Sequence, residues 1–115
     1  MYPSGTPSSP GIVSRGQRIV VANPFAGHFV HVEAQIRVNS RWGWAGHYTD
    51  YNNGNYWNHF VSARQLLPDD TIIVQTSNHG ITAQSAETGS PFGEFSTYLI
   101  SAPYRLVVTK LGKIS

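Results

Sequence analysis

Residues 29–39 read Phe29-Val30-His31-Val32-Glu33-Ala34-Gln35-Ile36-Arg37-Val38-Asn39. Val30, Val32, Ala34, Ile36 and Val38 fall on one side of this run, and His31, Glu33, Gln35, Arg37 and Asn39 on the other. Successive side chains of a β-strand point to opposite faces, so unbroken alternation is the mark of a strand with one buried face. A helix would repeat its apolar positions about every 3.6 residues, and this run does not.

Outward from that stretch the same reading continues. Residues 17–22 form a short apolar run closed by the turn pair Asn23-Pro24. Residues 43–49 follow a break at Ser40-Arg41, and Trp42 and Trp44, two apart, share a face. Residues 50–54 end in Asn53-Gly54, which supplies the positive φ of a tight hairpin. Residues 55–64 then place Trp57, His59, Val61 and Ala63 on one face. After a loop at 65–70, in which Pro68-Asp69-Asp70 sets a turn, residues 71–76 (TIIVQT) form a β-branched strand. Residues 77–93 are a long Gly/Ser/Asn-rich connection with weak β character at 81–84. A strand over 94–101, broken at Ala102-Pro103, and a final strand over 104–111 complete the chain. No segment offers two turns of amphipathic helix. The pattern predicts an all-β fold: an antiparallel β-sandwich or jelly roll of seven to eight strands.

The 115 residues suit one domain, residues 17–115, preceded by an N-terminal arm over 1–16. The arm holds three prolines, three glycines and four serines, too little apolar surface to offset its own ordering entropy. Ordering it calls for a surface to lie on, either a neighbouring molecule or its own domain. Tyr2, Pro3, Pro7, Pro10, Ile12 and Val13 are its candidate partner-binding residues.

Composition narrows the function classes. Charged residues make up 12% of the chain, about half the usual share. The eight basic residues are scattered from Arg15 to Lys113, which argues against a nucleic-acid partner. No apolar run approaches the roughly 18 residues of a membrane span, and the first sixteen residues carry no apolar leader. With no cysteine there is neither a disulfide nor a thiolate metal site. A weakly charged surface rich in amides, hydroxyls and aromatic rings suits lasting contact with protein or with sugar.

Candidate chemistry is sparse. His28 and His31, three apart on a strand, face opposite ways and cannot share an ion. His47, Asp50 and His59 are the one three-ligand combination the hairpin allows, but they lack the fixed spacing of a zinc signature. The plain alternative is that they are polar surface or interface residues, so no metal and no cofactor are expected. There is no G-x-S-x-G string and no evident carboxylate pair among Glu33, Asp50, Asp69, Asp70, Glu87 and Glu94. No catalytic residue is assigned, and an enzyme is not expected. Aromatic rings are the richer signal: Trp42, Trp44, Tyr51, Tyr56 and Trp57 are interleaved with Asn52, Asn53, Asn55 and Asn58. Rings with amide donors serve sugar stacking and protein interfaces alike. Alternation sends some of these rings to the core and leaves the hairpin tip at 51–56 exposed.

Three stretches resemble the C1q/TNF-type trimeric jelly roll. Phe25-Ala26-Gly27-His28-Phe29 before the long strand is similar to that family's Pro-Gly-x-Tyr-x-Phe segment. Residues 62–75, SARQLLPDDTIIVQ, resemble its serine–leucine–glycine–aspartate–glutamine segment, with Asp69 in place of the glycine. Residues 92–100, FGEFSTYLI, resemble its Phe-Ser-Gly-Phe-Leu-Ile strand, with Thr97 at the inner glycine. The strings VQTSNHG, GSPFG and APYRLVVTKLG also look like small bacteriophage structural proteins, in whose virions C1q-like jelly rolls occur. The resemblance implies a homotrimer located in the virion, a non-enzymatic capsid-decoration (cement) module whose arm holds other capsid proteins. The alternative it implies is a lectin-like receptor-binding domain, such as a tail-fibre tip that takes a glycan.

Overall fold

The computed structural model describes residues 5–6, 9–52, 54–82, 90–93 and 99–114, with the backbone alone at 5–6, 9–10 and 50–52. Nine strands lie within them: β1 Gly5–Thr6, β2 Ser9–Ser14, β3 Arg18–Ala22, β4 His28–Val38 and β5 Arg41–Trp44. They continue as β6 His47–Asn52, β7 Asn55–Leu66, β8 Thr71–Thr76 and β9 Ser101–Lys113. The expected all-β antiparallel sandwich is the fold observed. One sheet has five strands in the order β1-β2-β9-β4-β5, and the other has four in the order β3-β8-β7-β6. Strands far apart in sequence pair, β2 with β9 and β3 with β8, so the two ends of the chain wrap together as in a jelly roll.

Burial follows the pleat. Val30, Val32, Ala34, Ile36 and Val38 of β4 meet Val61 and Ala63 of β7 and Ile72 and Val74 of β8 in one core. Tyr104, Leu106, Ala102 and Val13 extend it along the five-stranded sheet.

Three readings are corrected. The arm expected over 1–16 stops short of that boundary, because residues 9–14 are a strand of the sheet. Gly11, Ile12, Val13 and Ser14 pair with Tyr104, Pro103, Ala102 and Ser101. Val13 is 0% exposed, so it is a core residue and not a partner-binding one. The apolar edge of β9 supplies the surface that the arm's composition needs. Ser14 N–H donates to Gln17 Oε1 at 2.6 Å and ties the two sides of the 16/17 boundary together.

Second, the expected strand at 43–49 is two strands in different sheets. Gly46 has φ +79°, and this glycine conformation carries the chain across the sandwich from β5 to β6. Third, Pro103 does not break the last strand. It lies past Tyr104, the final partner of β4 on β9, where a residue without an N–H forfeits no β4 ladder bond. The readings at 83–84 and 94–98 fall outside the described residues.

Candidate functional site

Register fixes what each sheet shows to solvent. On the outer face of the five-stranded sheet, Arg37 pairs with Trp42, Gln35 with Trp44 and Arg105, and Glu33 with Val107. Ile12 of β2 lies on the same face, opposite Pro103. The Trp42 ring has the Arg105 guanidinium 4.6 Å from its centroid and that of Arg37 at 5.6 Å. Arg105 Nε donates to Gln35 Oε1 at 2.7 Å, and Gln35 Nε2 donates to Glu33 Oε2 at 2.5 Å. The result is a chain of contacts, Trp42–Arg105–Gln35–Glu33, in which a flat cation is held against an indole and joined to a carboxylate through an amide. Around it Ile12, Trp44 and Val107 are 58%, 53% and 42% exposed.

The other aromatic residues gather elsewhere. In the β6–β7 hairpin Tyr48 pairs with His59, Asp50 with Trp57 and Tyr51 with Tyr56. Adjacent Tyr56 and Trp57 therefore face opposite ways. Trp57 lies under His79, with ring centroids 4.3 Å apart, and His79 Nδ1 is 2.8 Å from His59 Nε2. One imidazole donates this bond and the other accepts it. His59 is buried, and its backbone forms a parallel bridge with Gly80, which fixes the 77–82 loop over the strand.

The five aromatic residues proposed as one platform are thus not brought together. Trp42 and Trp44 belong to the five-stranded sheet, and Tyr56 and Trp57 to the hairpin of the other sheet. Tyr56 at the tip is 66% exposed, as expected, and the side chain of Tyr51 lies outside the described residues. His47 pairs with Phe60 and so lies on the opposite face from His59, which separates the His47–Asp50–His59 combination. Among the described residues no three His, Asp or Glu side chains converge. Tyr2, Pro3 and Pro7 lie outside the described residues, and Pro10 pairs with Gly5 in the β1–β2 ladder.

Sequence reading missed a polar tie at one end of the sandwich. Asp70, at φ +58°, accepts from Asn23 Nδ2 and Gln65 Nε2 through Oδ1, each at 2.8 Å, and from Gly27 N–H through Oδ2 at 2.9 Å. Those bonds, the Gly27 N–H first, hold its carboxyl below the usual aspartate range. Turn chemistry at Pro68-Asp69-Asp70 was visible in the sequence, but the long-range partners of Asp70 were not.

A cleft of about 560 Å³ opens along one side of the sandwich, between β4 and β7. Residues 31–34 of β4 and 60–64 of β7 line it, and Trp44, Gly46 and His47 of the β5–β6 crossing close one end. No family model, no curated protein and no solved structure matches the chain.

Proposed function

We propose that the chain is a non-enzymatic virion structural protein, a decoration module that assembles as a homotrimer and holds other capsid proteins. The observation that carries the assembly reading is the outer face of the five-stranded sheet. Its charges are matched internally through Arg105, Gln35 and Glu33, while Ile12, Trp44 and Val107 stand exposed around them. Trp and Arg on a rigid surface, with exposed aliphatic neighbours, is the composition of an interface centre. A buried Arg costs least when it is already stacked and hydrogen-bonded. The virion and the trimer come from the sequence resemblance, which this surface supports.

Light scattering on the full chain tests the reading. A mass three times the 12.7 kDa chain, falling to one chain in Trp44→Glu, is the expected result. A monomer in both proteins would overturn it.

A second reading is favoured by one observation. Trp42 and Trp44 lie two apart on one face, beside Arg37, Gln35 and Arg105, an arrangement that a glycan ring could stack on. A monomer that binds on a glycan array through Trp44 would favour this receptor-binding role, and flat responses would remove it.

A further inference from the structure

The cleft between β4 and β7 is bounded by two strand edges that, among the described residues, have no neighbouring strand. On β4, pairing with β5 begins at Gln35, so the residues before it pair with no described strand on that side. On β7, pairing with β6 ends at Phe60, so the residues after it pair with no described strand on that side either.

The direction of the backbone groups follows from known bonds. Val30 N–H donates to Gln65 Oε1 at 3.0 Å, and His28 C=O accepts from Gln65 Nε2 at 2.9 Å. Both groups therefore point toward β7. Alternate residues of a strand direct N–H and C=O to the same side, so Val32 and Ala34 aim theirs into the cleft. On β7, Phe60 donates to Gly80 C=O and accepts from Ser77 N–H, each at 3.3 Å, on the side away from the cleft. Val61 and Ala63 accordingly face the cleft. Ala63 C=O accepts from Arg64 Nη1 at 2.9 Å. The end pairs of the two ladders, Gln35 with Trp44 and His47 with Phe60, are closed by Ala45 N–H on Ala34 C=O and by Val61 N–H on Gly46 C=O. Among the described residues the groups left facing the cleft are therefore the N–H and C=O of Val32, the N–H of Ala34, the C=O of Val61 and the N–H of Ala63.

Gln65 shows what kind of group fits this seam. Its side-chain amide offers one acceptor and one donor to β4, as the peptide group of an added strand would. It serves His28 and Val30, and among the described residues no side-chain amide bridges the seam beyond it.

We propose that the cleft receives an extended segment of a partner polypeptide, which adds as a strand to the β4 edge at Val32 and Ala34. Recognition by main-chain ladder requires only that the segment be extended. Side-chain preference comes from the walls. Residues facing the seam meet Val32, Ala34, Val61 and Ala63 and must be small and apolar. Residues facing outward pass between Glu33 on one wall and Arg64 on the other, so a base beside Glu33 and an acid beside Arg64 complement them. Trp44, His47 and Phe60 at the closed end take an aromatic or aliphatic terminus of the segment. The proposal rests on the assembly reading only for which chain brings the strand.

Selection of a random heptapeptide library on the immobilised full chain tests it. Enrichment of peptides alternating small apolar with charged residues is expected. The enriched peptides should shift the amide NMR signals of Val32 and Ala34. They should lose at least tenfold in affinity for the Glu33→Lys/Arg64→Glu double variant, and selection on that variant should reverse the charge preference. Both substitutions are at the walls, and circular dichroism confirms the fold. No enrichment, or binding that leaves those amides unshifted and the double variant unaffected, overturns the proposal. Light scattering of the same samples is a separate readout: a monomer that still binds peptide would sink the trimer and keep the cleft.

Discussion

β9 and β4 each have a strand edge to cover, and the chain treats them differently. β9 is covered over its first residues, Ser101 to Tyr104, by β2, an antiparallel partner with Val13 locked into the core. β4 is covered by β5 over its last residues and by the amide of Gln65 at its start, while Val32 and Ala34 between them face the cleft. Exposed edges invite pairing with other chains, and natural proteins blunt them where pairing is unwanted. A covered edge should therefore be a stability element, and the open one should be nearly silent in stability and matter for recognition.

Removing the cover of β9 is the strongest way to break that contrast. Deleting residues 1–14 takes away β2 and the fully buried Val13, whose burial alone stabilises by about 2 kcal/mol. The expected result is a large drop in the urea midpoint or loss of cooperative unfolding. Deleting residues 1–8 keeps β2 and should leave the midpoint close to that of the full chain. Only this shorter truncation can ask whether the terminus anchors the protein to a particle, since its binding is measured on a folded domain. Equal midpoints for the two truncations would mean that β2 is not a stabilising strand.

Gln65→Leu attacks the cover of β4. It leaves the Val30 N–H without its acceptor and takes one donor each from His28 C=O and Asp70, both of which keep Asn23. Stranding one amide of this kind costs about 1–3 kcal/mol, and chemical denaturation should show a loss in that range. A variant as stable as the parent would mean that the seam needs no plug at all.

Acid should weaken the same end of the sandwich. The folded-state pKa of Asp70 is depressed by the Gly27, Asn23 and Gln65 donors, so its contribution is present above the unfolded aspartate value. That contribution is lost as the pH falls through the lower, folded value. Urea midpoints taken from pH 7 down to pH 2 should therefore drop more steeply for the parent than for Asp70→Asn, whose side chain does not titrate. Parallel curves would show that Asp70 is not a pH-dependent tie.

How far the sequence reveals these edges depends on whether a feature is periodic. The alternation at 29–39 and the β-branched run at 71–76 located β4 and β8 within a residue or so, because burial repeats with the pleat. β2 was hidden by Pro10 and Gly11, since its case rests on Val13 and on the waiting edge of β9. The shared face of Trp42 and Trp44 was legible from their spacing. Arg105, which stacks on Trp42, comes from a strand far along the chain, and no local pattern announces it. Tyr56 and Trp57 were grouped by composition, although the same period of two that identified β4 puts neighbours on opposite faces. His79 lies in a loop with no period, and its bond to His59 is a product of tertiary placement alone.

The smallest expected effect belongs to the open edge. Glu33→Ala removes the acceptor at the end of the Gln35 bond, and Arg64→Ala removes the guanidinium that reaches Ala63 C=O. Arg64 is exposed and Glu33 half-buried, and surface substitutions of this type change stability by about 0.5 kcal/mol or less. Denaturation curves should nearly overlay that of the parent, in contrast to Gln65→Leu a single residue further along β7. If Arg64→Ala instead costs as much as Gln65→Leu, the Arg64 bond to Ala63 is itself a plug. The cleft would then be a sealed edge of the domain, with the same standing as the start of β4, and its strand-accepting role would have to give way to a structural one.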